Sequence, residues 1–536
     1  MSGDNPVTEP RPPALPVPAP RPGRHLTNTV ANLAYFVIQV LAGMWLTPFL
    51  IEHLGVALFG FVPLANSTAQ YLGIITGALS STLGRYLTVA ISAGDARRAQ
   101  SAFTTGIIAE SVTVGVLLPV VLVGAWLLGR YLDTPPESAA DVTWLLFATG
   151  LAFLLSAWSS CLSSLTFAFA RFDLRSGVEA ASLLLRVALI YMLFVGGHAS
   201  LLVAGLASVC AAVLRILLYG VTWRTLAPGI RPSRELVDWA QFRSMMSTGG
   251  WMMLNQVGAI ALTQLDLVLA NLLLGAKAAG LYAPMVQFSA LLLGYGSAIA
   301  TVAMPKIIGD QSTRGPDDVV RTTASAMRLT GVAVALPIGL LCGLSYPLLN
   351  VWLDADFAEL APIMAVVTFA RVSLCAKPLM TVPLAVNRVG VPALFLVVLA
   401  VIYVPVAIAC TQAWNMGLWG IVIPKTILLL ANACVFMPLF AAKILGVRPR
   451  PFFAALAPTV VSAALLSAAG WALHLWLDLG SWPALILAGS GLSVVFCPAA
   501  FALALRRRER DLVLRAFRKR PAEHDEDGGP GGEGHA

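Results

Sequence analysis

Charge is scarce in this chain. Only 12% of its 536 residues are Asp, Glu, Lys or Arg, while 58% are hydrophobic. A soluble domain carries charge on about a quarter of its residues, so a water-facing surface cannot be built from this composition. The seven cysteines (Cys161, Cys210, Cys342, Cys375, Cys410, Cys434 and Cys497) all fall in apolar segments and form no CxxC pair. They read as small buried side chains rather than a disulfide or metal framework. A Walker A motif is missing, so ATP hydrolysis is not expected. His, Cys and Asp do not cluster at metal-ligand spacing, so no metal or other cofactor is expected. A net charge of +8 could suggest nucleic acid, but the basic residues lie scattered in short loops without interleaved aromatics, and nucleic acid is not an expected partner. No signal peptide is expected: the stretch after Arg24 is too long for an h-region, and the residues before it are Pro-rich.

What the chain does have is apolar length. Segments of about 20 apolar residues, enough to cross the hydrocarbon core, follow one another from Leu26 to Leu505. Helix is the expected element, because a backbone in lipid must satisfy its own hydrogen bonds. The punctuation predicts an all-α polytopic membrane protein with about fourteen transmembrane helices. The second (58–91) and eighth (279–306) are the ones expected to tilt or kink.

The loops test this layout independently. Alternate connections are basic: Arg97 and Arg98; Arg171 and Arg175; Arg224, Arg231, Arg234 and Arg243; Lys306, Arg314 and Arg321; Arg388; Lys443, Arg448 and Arg450. The intervening ones are neutral or acidic, with Arg130 and Lys277 as mild exceptions. Positive residues concentrate on the cytoplasmic side of short loops. An even helix number with cytoplasmic N- and C-termini follows, in a plasma membrane.

A short motif occurs twice. Leu54-Gly55 and Gly60 give Leu-Gly-x4-Gly after the first helix, and Leu274-Gly275 and Gly280 give it again 220 residues later. Each half then holds six helices, which predicts two parallel repeats plus a two-helix C-terminal extension. The expected organisation is a disordered tail (1–25), a six-helix bundle (26–222), a cytoplasmic linker (223–245), a second six-helix bundle (246–442), the extension (443–505) and a basic, then disordered tail (506–536). Within the linker, Ser233 could cap a short interfacial helix running through Arg243.

Ionisable side chains at membrane depth are costly and mark function or pairing. Six basic residues fall there (Arg85, Arg186, Arg215, Arg328, Arg371 and Lys425) against three acids (Glu110, Glu179 and Asp266). Ion pairing and snorkelling explain some of them. Arg186, Arg371 and Lys425 lie too deep to snorkel easily, and a cationic cavity is the other reading. It suits an anionic solute such as a phosphate or pyrophosphate, which the arginine fork binds bidentately. Asp266 and Lys425 fall at similar depth and could pair, or Asp266 could bind a coupling cation. Amides including Asn32, Gln39, Asn66, Asn255 and Gln264 fall in the first, second and seventh helices, where they could join helices or line a sugar path.

The two Leu-Gly-x4-Gly motifs, Gly84-Arg85-Tyr86 after the first, and Asp266 and Gly280-Leu281-Tyr282 around the second, resemble bacterial polysaccharide-biosynthesis flippases. The resemblance spans about residues 26–445 and implies the multidrug/oligosaccharidyl-lipid/polysaccharide (MOP) superfamily, in its Wzx-like branch. It implies a flippase moving a polyprenyl-pyrophosphate-linked oligosaccharide across the bacterial plasma membrane for cell-surface polysaccharide biosynthesis. Implied partners are that lipid-linked oligosaccharide, membrane lipids, a proton or sodium counter-ion and polysaccharide-assembly proteins. Arg186, Arg215, Arg371, Lys425, Arg85 and Arg328 would hold the headgroup, with Asp266, Glu110 or Glu179 coupling the counter-ion. The chain departs from lipid II flippases, which place arginines in the first helix, where this one has amides. It also carries two helices beyond the twelve common in the Wzx-like branch. The rivals are a multidrug or cation antiporter of the same fold, whose cavity should be acidic, and a membrane glycan polymerase or glycosyltransferase, which should carry a long outer loop. A transporter rather than an enzyme is expected.

Overall fold

A computed structural model of the protein describes residues 24–239, 243, 250–313, 315–386, 388–507, 509–511 and 514. The expected disorder of the tails falls on residues that lie largely outside those described, as do residues 240–242 of the expected interfacial helix. Among those residues the chain is helical, with no strand. Thirteen helices are long and apolar enough to cross a membrane, or fourteen if one bent pair counts as a span.

The first half contains α1 (Arg24–Phe59), α2 (Phe61–Ala69), α3 (Gly73–Ser92), α4 (Ala96–Tyr131), α5 (Ala139–Ala168), α6 (Phe172–Val195) and α7 (Leu201–Leu226). The second contains α8 (Gly250–Leu274), α9 (Ala276–Thr313), α10 (Pro316–Gly343), α11 (Ala361–Phe369), α12 (Gly390–Ile408), α13 (Trp419–Leu430), α14 (Arg450–Trp476) and α15 (Trp482–Leu503). Polar residues set several of the starts. Asp95 accepts a hydrogen bond from the Arg98 amide at 2.9 Å to cap α4, and Ser200 accepts from Val203 at 3.3 Å to cap α7. Helix α4 runs 36 residues, roughly 54 Å of rise against a hydrocarbon core of about 30 Å, whereas the 36 residues of α1 are broken by a kink at Gly55.

The second span bends as its length suggested. Helices α2 and α3 are joined through a 3-10 turn at Gln70–Leu72, and further on the span bends by 43° between its Phe61–Gly77 and Thr82–Ser92 parts. The eighth runs as one 38-residue helix. The tenth departs further from a plain helix: after α11 the chain winds as 3-10 helix over Ala370–Met380, then returns to α-helix at Thr381–Ala385. Runs of 3-10 helix beyond three or four residues are uncommon and mark strain or a hinge. Pro378 and Pro383, which lack the backbone N–H, fall within and just after it.

Packing divides the molecule by height. At one end a shared core joins both halves, with Phe59, Leu64 and Leu145 beside Leu267, Tyr282 and Leu349. At the other end, where the basic loops lie, each half has its own core: Leu83, Phe103, Leu165 and Tyr219 in the first, Ile307, Met327, Met437 and Phe452 in the second. The halves therefore adhere at the non-basic end and part toward the basic end. Helix α14 is closely seated on α10: a Cβ on Gly331 would lie 1.8 Å from the Thr459 hydroxyl, and one on Gly343 3.0 Å from Gly470 Cα. Such glycine-lined approach is how helices associate where lipid removes the hydrophobic driving force. Around the outside, Val116, Leu122, Trp126, Leu217, Val401, Leu465 and Val494 are exposed, an apolar belt that suits lipid and not water. The protein is a multi-pass membrane protein.

In the connection after α7 the expected helix does not run on from Ser233: Arg234–Leu236 forms one 3-10 turn without a side-chain cap, and the extended Val237 ends it, leaving Val237–Asp238 non-helical. Ser101 Oγ donates to the Leu236 carbonyl at 2.8 Å and the Asp238 amide donates to Thr105 Oγ1 at 3.1 Å, so this segment lies against the start of α4.

Candidate functional site: an amide-lined cavity between the halves

The glycine motif builds the sealed end. Gly55 and Gly275 both have positive φ, 75° and 91°, the region glycine enters without a Cβ penalty. Each turns the chain out of one helix and into the next. The second glycines then meet: a Cβ on Gly60 would lie 2.7 Å from the Gly280 nitrogen, and one on Gly280 1.9 Å from the Val56 carbonyl oxygen. Polar bonds reinforce the seal. Trp352 Nε1 donates to the Met44 carbonyl at 2.6 Å. The Asp133 amide donates to Asn271 Oδ1 at 3.0 Å, and the Ala276 amide to Asp133 Oδ2 at 3.3 Å.

Below this seal a cavity of about 900 Å³ opens between α1, α2 and α6 on one side and α8 and α9 on the other. It runs from Phe59 toward the basic end as far as Asn32 and Ala298. Its polar wall is made of amides: Asn32, Gln39, Asn66, Gln70, Gln264 and Gln287. Several are tied to neighbours. Ser176 Oγ donates to Asn32 Oδ1 at 2.7 Å, Thr47 Oγ1 to Gln287 Oε1 at 2.9 Å, and Gln264 Nε2 to Gln70 Oε1 at 2.8 Å across the two halves.

Arg186 is the cation on this wall, and no acidic side chain joins it among the described lining residues. Its Nε is buried and has no hydrogen-bond partner. A side pocket of about 350 Å³ shares Arg186, Tyr35 and Gln39 with the main cavity and adds Arg215 and Ser208. Arg215 is already engaged, 3.0 Å from Glu179, which also accepts from the Tyr219 hydroxyl at 3.0 Å.

The remaining basic residues lie elsewhere. Arg371 and Lys425 are buried within the second half, around a small void lined also by Ser289, Val367 and Thr426. Lys425 forms a buried ion pair with Asp266 and donates to the Thr263 carbonyl at 3.2 Å. The Tyr282 hydroxyl donates to Asp266 Oδ2 at 2.8 Å, and Arg371 Nε to Ser289 Oγ at 2.5 Å. Arg371 sits on the 3-10 segment, and neither it nor Lys425 lines the large cavity. Arg85 is exposed, its guanidinium 5.3 Å from the Tyr86 ring. Arg328 is buried near the basic end of α10, where its Nε donates to Glu509 at 2.7 Å. Asn255 lines a separate pocket with Met380 and Pro383. Glu110 is buried in α4, with Oε1 unpartnered and no cation within ion-pair distance among the described residues. Lys377 was not singled out by the sequence: it lies on the same 3-10 segment and donates to Ser297 Oγ. Its signal was present, a lysine six residues after Arg371 within a predicted span.

Comparison with known proteins gives this arrangement a context. A family described as "Polysaccharide biosynthesis protein" matches residues 26–308. The chain is 31% identical over 496 residues to the uncharacterized membrane protein EpsK of Bacillus subtilis (strain 168), covering 92% of this chain and 98% of EpsK. In structure it is similar to the lipid II flippase MurJ in an inward closed conformation, with a TM-score of 0.66 at 12% identity, covering 91% of this chain and 100% of MurJ. It is also similar to a MATE transporter of Vibrio cholerae, with a TM-score of 0.56 at 15% identity, covering 80% of this chain and 98% of that one. At such identities these two likenesses concern the fold alone. The family match over more than half the chain and the near full-length relative settle its membership: this chain belongs to the polysaccharide biosynthesis protein family and has the fold shared by the MurJ flippase and MATE transporters.

Proposed function

We propose that the protein flips a polyprenyl-pyrophosphate-linked oligosaccharide from the cytoplasmic to the outer leaflet of a bacterial plasma membrane by alternating access. The observation that carries this reading is the amide-lined cavity between the halves with Arg186, unpaired at Nε, on its wall. Amides offer donors and acceptors to sugar hydroxyls, and the guanidinium offers a planar fork to a phosphate. Absence of an acidic side chain among the described lining residues disfavours an organic cation as cargo.

By the positive-inside rule the basic end faces the cytoplasm, so the cavity extends toward the cytoplasm and is sealed outside by the Gly60–Gly280 contact. The pyrophosphate lies at Arg186, with Arg215 near enough to join if Glu179 releases it, while the prenyl tail stays in lipid. The two copies of the glycine motif, meeting at the outer seal, support treating the halves as parallel repeats that rock about it. An inside-negative potential favours expelling the anion by about 2.3 kcal/mol per charge per 100 mV. Resetting the empty cavity then needs a counter-ion. Asp266 is neutralised by Lys425 and Glu179 by Arg215, which leaves Glu110 as the carboxyl to exchange a proton.

The Arg371–Lys425–Asp266 cluster lies behind the wall, with Arg371 on the 3-10 stretch of the tenth span, Lys425 on α13 and Asp266 on α8, where it holds the second half together rather than touching cargo. The test is binding of a short polyprenyl-pyrophosphate oligosaccharide to the purified protein. Saturable binding lost in Arg186→Gln supports the reading; binding of organic cations instead, indifferent to Arg186, refutes it.

A further inference from the structure

A second large pocket, of about 860 Å³, lies at the basic end of the second half and shares no lining residue with the central cavity. Three parts of the chain build it: the first turns of α10, the turn leading into α14, and the segment after α15. Six arginines line it (Arg321, Arg328, Arg448, Arg450, Arg506 and Arg507) against two acids, Asp317 and Glu509.

Its foundation is a buried ion pair. Arg328 NH2 approaches Glu509 Oε1 at 2.5 Å, and the two side chains are 5% and 1% exposed. Glu509 Oε2 accepts from the Arg506 amide at 2.9 Å, so the segment after the last span is folded back under α10 and fixed there. With Glu509 spent on Arg328, and Arg321 lying 3.8 Å from Asp318, four arginines remain. Arg448, Arg450, Arg506 and Arg507 line this concavity with no ion-pair partner among the described residues. Like charges gathered in one concavity repel each other and concentrate counter-anions. Arginine forks match phosphate oxygens bidentately. The wall also holds Val320, Ala324 and Ala454, apolar side chains at the level where the spans end.

We propose that this pocket is a binding site for a phosphate-bearing anion, which ties α10, α14 and the post-α15 segment together. Two sources share that chemistry, an anionic phospholipid headgroup and a free phosphate compound, and one experiment separates them. The full-length protein in neutral detergent is titrated with inorganic pyrophosphate while its melting temperature is read. In parallel it is placed in nanodiscs of phosphatidylcholine with phosphatidylglycerol, re-extracted, and its retained phosphatidylglycerol measured by mass spectrometry. The variant is Arg448→Gln/Arg450→Gln/Arg507→Gln, which leaves the Arg328–Glu509 pair in place. The charge-matched control is Arg97→Gln/Arg98→Gln/Arg224→Gln, at the basic end of the first half.

Selective loss of phosphatidylglycerol retention in the variant assigns a lipid headgroup. Selective loss of pyrophosphate stabilisation assigns a soluble phosphate. The lipid affinity weakens by about 100-fold, from a factor of roughly five for each of three charges removed near the membrane surface. If neither probe distinguishes the variant from the control, the proposal is wrong. Should the triple variant melt early without any anion, Arg450→Gln alone, at an exposed position, carries the same comparison against Arg97→Gln. The pocket lies outside the cavity, so this test can fail while the flippase reading stands.

Discussion

Gly280→Ala perturbs the seal with a single methyl group. The added Cβ would lie 1.9 Å from the Val56 carbonyl oxygen and 2.8 Å from its carbon. A carbon–oxygen contact needs about 3.3 Å, so the two segments must part by about 1.4 Å. Both partners are backbone, and no rotamer change relieves the clash. Overpacking of this kind costs roughly 1–3 kcal/mol, which shifts the balance toward a parted seal by about 5- to 150-fold. The same helix supplies the control, because a Cβ on Gly294 meets nothing within 4 Å. The assay is labelling of an Ala276→Cys reporter, buried in the sealed end, by a membrane-impermeant maleimide in intact cells, in a background without the seven native cysteines. Gly280→Ala raises the labelling rate and Gly294→Ala does not. Equal rates in the two variants would refute the claim that the Gly60–Gly280 contact holds the seal.

Other predictions concern the buried charges. Removing one partner of Asp266–Lys425, by Asp266→Asn or Lys425→Met, costs about 3–5 kcal/mol because it strands a buried charge. Removing both (Asp266→Leu/Lys425→Met) costs far less than the sum, and additive melting-temperature losses would contradict the pairing. Arg186→Gln leaves the melting temperature near that of the wild type, since no carboxylate relies on it, whereas Arg215→Gln lowers it by stranding Glu179; thermal unfolding in detergent decides. Glu509→Ala destabilises by a similar 3–5 kcal/mol through buried Arg328, and Glu509→Ala/Arg328→Met recovers much of it, as a melting series will read.

The spans and their number were legible in the sequence, because apolar length and loop charge are one-dimensional signals. The bend in the second span was legible from its length. The positions of the charges were not. Periodicity gives the depth of Arg371 or Lys425, but which side of the helix each occupies depends on packing. For Arg371 the helix itself changes pitch: the 3-10 winding over Ala370–Met380 rotates every side chain away from its α-helical direction. Arg328 meets a partner 181 residues away, a distance at which no pattern connects them. Arg85 sits beside an aromatic ring at the exposed face of α3, and Asn255 faces another pocket, though their residue types equal those of Arg186 and Asn32. The glycine motif was visible as a repeated pattern; that its second glycines touch each other required coordinates.

The most direct test of the central claim is transport itself. Proteoliposomes carrying the purified protein and a fluorescent short-chain polyprenyl-pyrophosphate oligosaccharide report flipping as loss of protection from an external quencher. The account predicts flipping by the wild type and its loss in Arg186→Gln at unchanged melting temperature. Undiminished flipping by a well-folded Arg186→Gln protein would contradict it.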